Sequence, residues 1–306
     1  MYLATIQQRF VPAAGAAGSV RLAGPPYAGI VQTPTMTAMT YYTDHIILSA
    51  FGTTTGARAA YTTLEKQLVP QFPGCTMHWY YSSPTVRSSI AAEGAETAAS
   101  IPALIEKIVN EAADKATLRI VVQSLHVLPG HEFHRLVRQI SGLNHIVQIG
   151  MPLLFSPADY TQVIYCLKPL IEAARKNGHA ALVLGHGTDH PSWTSYCALE
   201  AELSKYYGPG VFLATLEKSP GTLDTVIEKI KADQFTAVHI IPFLMVTGMH
   251  FKRDIIGEKP ESIKNLFEKN HVRLHLHEQG LATLPGVADI FAGHIRGAFA
   301  SFAKPC

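Results

Sequence analysis

The chain has 306 residues, of which 47% are hydrophobic and 16% charged, with a formal net charge of +2. That is enough apolar material for one large α/β domain or two of ordinary size, and too much for a disordered chain. The slight positive balance comes without a Lys/Arg run, which argues against a nucleic-acid binder, and no apolar run approaches the roughly 20 residues that cross a bilayer.

Residues 1–43 are rich in Ala, Gly, Pro and Thr and show neither helical nor strand periodicity. They read as a poorly ordered N-terminal extension. A basic segment followed by a continuous apolar one is missing, which argues against a secretory signal without excluding export. The cysteines Cys75, Cys166, Cys197 and Cys306 are scattered, with no CxxC. A zinc knot or disulfide framework is therefore not expected, and a reducing, cytoplasmic compartment fits.

From His45 the pattern changes. Apolar runs bounded by Gly, Pro or polar residues alternate with amphipathic segments of helical length. In chain order the spacing predicts a strand at 45–51 (HIILSAF), a helix within 97–113, a strand at 118–125 (LRIVVQSL) and a helix over 169–178 that stops at Gly178. Strands at 180–185 (AALVLG) and 211–216 (VFLATL) follow, then a helix within 222–234, a strand at 237–244 (AVHIIPFL) and a strand-like LHLHEQ at 274–279. Continuous apolar runs suit strands buried on both faces, and their alternation with helices gives parallel βαβ units.

The chain also repeats itself. Residues 45–68 match residues 180–203 without a gap, with identities at Gly52/Gly187, Thr53/Thr188, Tyr61/Tyr196, Leu64/Leu199, Glu65/Glu200 and Leu68/Leu203. IEKI at 105–108 recurs at 227–230, and SLHVLPGHEF at 124–133 aligns with PFLMVTGMHF at 242–251. The common order predicts an α/β fold of two similar βα halves, 44–170 and 171–306, with parallel sheets facing a central cleft.

Ligands of open parallel sheets collect at the carboxyl ends of strands. Three polar residues stand at such ends: His186 after AALVLG, Glu217 after VFLATL, and His250 just beyond AVHIIPFL. Two imidazoles and a carboxylate suit a borderline divalent ion such as Co²⁺, Ni²⁺, Fe²⁺ or Zn²⁺, and leave coordination positions open. A neutral histidine is also a suitable proton acceptor, and His186 is the best placed. Other patterns fail as sites. His131-Glu132-Phe133-His134 has one residue too few for the zincin HExxH, which needs its histidines at i and i+4. Gly187 and Pro191 break any helix that would pair His186 with His190. His275 and His277 read as an ordinary exposed pair on one strand face. GxGxxG, GxxxxGK[ST] and GxSxG are all missing, so nucleotide cofactors and the simplest hydrolase reading have no support.

At Ser49–Thr53, Gln123–Phe133, Leu184–Pro191, Glu217 and Pro242–His250 the sequence resembles the anaerobic sirohydrochlorin cobaltochelatases of the class II chelatase superfamily. The resemblance runs from about His45 to near the C-terminus. It implies a tetrapyrrole between two α/β halves and a His186, Glu217, His250 metal set. The implied reaction is lyase-type insertion of Co²⁺ into sirohydrochlorin in anaerobic cobalamin biosynthesis, with the metal as substrate and no organic cofactor. Insertion of iron or nickel into the same macrocycle is an alternative, as is a non-catalytic carrier of metal or tetrapyrrole. The family tends to carry Phe-Thr-Ser-Arg where this chain has Tyr81-Ser82-Ser83-Pro84, so Arg87 is the candidate to replace the missing arginine. Gly248-Met249-His250 stands where Gly-Asp-His is common. An anionic macrocycle needs cationic and hydrogen-bonding groups at its rim, and the candidates are Ser82, Ser83, Arg87, Thr53 and Thr188. No nucleic-acid or membrane partner is expected, and association into homo-oligomers stays open.

Overall fold

A computed structural model describes residues 42–143, 145–217, 223–248, 255, 257 and 262–302. The extension as far as residue 41, and His250, lie outside them. The first half runs β1 (Thr43–Ala50), α1 (Ala59–Leu68), β2 (Thr76–Tyr81), α2 (Pro84–Ala92), α3 (Ile101–Glu111), β3 (Leu118–Ser124), α4 (His131–Ile140) and β4 (Val147–Gly150). α5 (Pro157–Lys176) leads to β5 (Ala180–Gly185), α6 (Thr194–Tyr207), β6 (Val211–Thr215), α7 (Leu223–Ala232), β7 (Ala237–Phe243), α8 (Ile263–Lys269), β8 (Arg273–Leu276) and α9 (Val287–Ser301).

The strands form two four-stranded parallel sheets of the same order, β2-β1-β3-β4 and β6-β5-β7-β8. Every residue of β5 and of β7 is buried, as a parallel strand covered on both faces requires. The repeat is structural. Ser49 pairs with Ser124 and Leu184 with Pro242, so both sequence offsets, 135 before and 118 after, are those of the sheet register. The loop after the first strand of each half repeats as well. Thr55 caps a short 3-10 turn at Gly56–Arg58 and His190 caps one at Pro191–Trp193, each leading straight into α1 or α6.

Two long helices cross between the halves. α5 packs on β5, β7 and α6, whereas α9 returns from the end of the chain to pack on β3 and β4. One continuous apolar core, including Leu48, Leu167, Val183 and Phe291, therefore joins the sheets. The crossing is fixed by a polar contact. His294 of α9 places Nε2 3.0 Å from Asp159 Oδ1 and Nδ1 2.9 Å from the Met151 carbonyl. Asp159 also accepts from the Phe155 and Ser156 backbone N–H groups at the start of α5. Among the described residues no helix is long and apolar enough to cross a membrane, and Cys75, Cys166 and Cys197 are free.

Candidate active site

His186 and Glu217 are set by backbone geometry at the carboxyl edge of the second sheet. Beyond β5 and β6 the ladder continues: Leu216 N–H donates to the Gly185 carbonyl and Glu217 N–H to the His186 carbonyl, both at 2.9 Å. Thr215 Oγ1 then donates to the Glu217 carbonyl at 3.0 Å. Between the two candidate ligands, Gly187 takes φ +87°, and a Cβ there would lie 1.8 Å from the Glu217 carbonyl oxygen. Only glycine fits that position. Its N–H donates to the Tyr196 hydroxyl at 3.3 Å. His186 is half-buried and Glu217 exposed. His186 Nδ1 stands 3.3 Å from the Gly187 carbonyl.

A cleft of ≈ 610 Å³ opens between the halves. Phe51, Thr53, Ser83, His126 and Glu132 line it from the first half, and His186, Thr188, Tyr196, Met245 and Gly248 from the second. The loop after β7 passes close to the first-half turn, since a Cβ on Gly248 would stand 2.8 Å from Thr53 Oγ1. The repeat relates opposing positions. Phe51, 54% exposed, occupies in the first half the place of His186 in the second, and Glu132 falls at the place of His250. Ser83, whose N–H donates to the Phe51 carbonyl, is the counterpart of Glu217.

The sequence-derived site residues divide accordingly. His186, Thr53, Thr188 and Ser83 reach the cleft, whereas Glu217 does not belong to its lining among the described residues. Thr53 Oγ1 accepts the Thr55 N–H at 3.2 Å and Thr188 Oγ1 the His190 N–H at 3.2 Å, so each threonine shapes its turn. Ser83 Oγ accepts from Val86 N–H as the cap of α2. Ser82 and Arg87 line a smaller adjoining cavity of ≈ 150 Å³, which shares His126 and Glu132 with the cleft. There the Arg87 guanidinium donates to the Tyr81 and Ser82 carbonyls at 2.7 and 2.9 Å. The zincin-like run points across the halves: His131 Nε2 is 2.9 Å from Asp189 Oδ1, and the His134 ring stacks on His190 at 4.7 Å.

Sequence reasoning passed over His126 and Glu132. His126 Nδ1 meets Ser124 Oγ at 2.8 Å, and burial pushes its pKa down to about 4. His126 Nε2, Glu132 Oε2 and Ser82 Oγ are all buried without a hydrogen-bond partner. Three orphaned polar atoms around one junction of cavities are what a polar ligand would satisfy. The available signal was the alignment of Glu132 with His250.

The family model described as Cobalt chelatase (CbiK) matches residues 44–300. The chain is 32% identical over 261 residues to the sirohydrochlorin cobaltochelatase CbiKC of Nitratidesulfovibrio vulgaris, covering 83% of this chain and 89% of that protein. It is 26% identical over 182 residues to the sirohydrochlorin cobaltochelatase of Salmonella typhimurium, covering 58% and 68%. Among solved structures, SirB from Bacillus subtilis with Fe³⁺ superposes with a TM-score of 0.58 at 15% identity, covering 86% of this chain and 98% of that one, and shares the fold.

Proposed function

The chain belongs to the cobalt chelatase (CbiK) family, and from that membership we propose that it is a lyase-class chelatase inserting Co²⁺ into sirohydrochlorin in cobalamin biosynthesis. The observation that carries the proposal is the ≈ 610 Å³ cleft between the halves, with apolar Phe51 and His186 at equivalent positions of its two walls. A macrocycle needs an apolar surface against its plane and a metal donor facing its nitrogens, and this pairing supplies both.

In the reaction one divalent ion enters as two pyrrole protons leave. His186, Glu217 and His250 are the proposed ligand set. A donor set of two imidazoles and one carboxylate holds the ion firmly enough to orient it, yet leaves positions open for the incoming pyrrole nitrogens. The backbone hydrogen bond from Glu217 to His186 supports their acting together, because it holds the two strand ends side by side. Once the ion has passed to the macrocycle, the vacated His186 nitrogen is the proposed acceptor of one pyrrole proton, and the orphaned Glu132 carboxylate oxygen offers an acceptor for the other on the first-half wall. The Thr53 and Thr188 turns, with Ser82, Ser83 and Arg87 at the adjoining cavity, are proposed to meet the substrate carboxylates. The unpartnered Ser82 Oγ supports that assignment.

Single-turnover absorbance spectra with sirohydrochlorin and Co²⁺, Fe²⁺, Ni²⁺ or Zn²⁺ in parallel test the reading. Acceleration of Co²⁺ insertion over the uncatalysed rate is expected. A spectral shift on binding with no acceleration for any metal would make the protein a carrier instead.

A further inference from the structure

At the amino-terminal end of the second sheet, away from the strand ends that carry the cleft, two strands and the residue leading into a third bring histidines onto one face. His239 lies in β7 and pairs directly with His275 of the edge strand β8. His239 also pairs with Ala181 of β5, two residues beyond His179, so the alternation of side chains puts all three imidazoles on the same side. One nitrogen from each of the three lies within 4.8 Å of the others. His179 Nδ1 is 3.1 Å from His239 Nε2. The His275 ring stacks on those of His239 and His179 with centroids 4.7 and 5.0 Å apart.

A fourth imidazole completes the arrangement. His277 Nε2 stands 3.2 Å from His239 Nδ1, and an N–H of His239 donated to it leaves Nε2 as the nitrogen with the lone pair. That nitrogen is the one turned toward His179. A metal-bound histidine characteristically has its other ring nitrogen held in this way. Among the described residues, the charged or titratable groups acting on His179, His239 and His277 are other histidines and Arg273, not the carboxylates of an ordinary histidine ion pair. Burial first, and then the neighbouring imidazoles, lowers all three, His239 to about 4.

We propose that His179, His239 and His275 form a second divalent-metal site, distinct from the cleft, for a late first-row ion such as Zn²⁺, Ni²⁺ or Co²⁺. The all-nitrogen donor set selects that class over Mg²⁺ or Ca²⁺. At a metal–nitrogen distance of about 2.0–2.1 Å, tetrahedral ligand nitrogens stand roughly 3.4 Å apart, a separation that side-chain rotation reaches from the geometry present. His275 is exposed, which gives the ion a route in and leaves a coordination position to solvent. Bound there, the ion staples the four-residue edge strand β8 to β7 and β5.

The test is equilibrium dialysis of the full-length chain, stripped with chelator, against Zn²⁺, with the thermal midpoint as a second readout. A His186→Ala, Glu217→Gln double variant removes two of the three proposed cleft ligands, and should still bind one equivalent and gain thermal stability with Zn²⁺. Adding His275→Ala should abolish both effects, and adding His179→Ala instead should do the same. In otherwise wild-type protein, His275→Ala should metalate sirohydrochlorin at the normal rate. A double variant that binds no Zn²⁺, or a bound equivalent that survives both histidine replacements, would overturn the proposal and reduce the cluster to an imidazole hydrogen-bond chain.

Discussion

The backbone N–H of Glu217 donates to the carbonyl of His186 at 2.9 Å, so the main chains of the two candidate ligands are tied together at the edge of the sheet. Gly187 is the condition for that contact, because its positive φ and its missing Cβ let the Glu217 carbonyl approach. Gly187→Ala should therefore cost roughly 3 kcal/mol of stability and displace Glu217. Gly178→Ala is the control. It shares a positive φ, but its Cβ would meet nothing within 4 Å, and it should cost about 1 kcal/mol. Urea unfolding of the two variants checks this; equal losses would mean that the close approach carries no energy.

His294 ties α9 to α5 through Asp159 and to the loop after β4 through Met151. Its removal leaves a buried carboxylate short of a partner. We expect His294→Ala to lower stability by about 2 kcal/mol or more, with metalation at 25 °C within twofold of normal because the contact lies away from the cleft lining. A loss below about 0.5 kcal/mol in urea unfolding would show that the apolar core alone holds the crossing helices.

Acid should destabilise the fold through His126. Its pKa is about 4 in the folded protein, against about 6.5 in an unfolded chain. Above pH 6.5 both states are neutral and the group has no effect. Between 6.5 and 4 the unfolded state takes up a proton that the folded state refuses, so stability falls as pH falls, by at most about 3 kcal/mol from this group. Urea midpoints at pH 7.5, 5.5 and 4.5 should therefore decline less in His126→Gln than in the wild type. Identical declines would mean that His126 accepts its proton without unfolding.

Much of this was legible in the sequence, for physical reasons. β1, β3, β5, β6 and β7 announced themselves as continuous apolar runs because helices cover both faces of each sheet. β2 and β4 gave no such signal, since β2 is mostly half-buried and β4 has only four residues, two of them half-buried. α5 begins twelve residues before its expected start. Ser156 and Pro157 cap it, while Pro169 inside the helix had the look of a beginning. His186 could be found from its place between glycines after a strand. Arg87 is a candidate as the arginine three residues beyond the place where the family carries one, and the carbonyls of Tyr81 and Ser82 hold its guanidinium at the adjoining cavity. His275 and His277 looked like an exposed pair because their neighbours His179 and His239 come from elsewhere in the chain. Strand register, which local pattern does not contain, brings them together.

The most direct test of the central claim is the Co²⁺ dependence of sirohydrochlorin metalation in Glu217→Gln and His186→Ala. If both side chains hold the ion, Glu217→Gln should raise the Co²⁺ concentration needed for half-maximal rate by tenfold or more, because the ion loses a negative ligand. His186→Ala should nearly abolish metalation, with circular dichroism unchanged in both variants. A Glu217→Gln enzyme with the wild-type cobalt dependence, or a folded His186→Ala enzyme with a near-normal rate, would contradict the account.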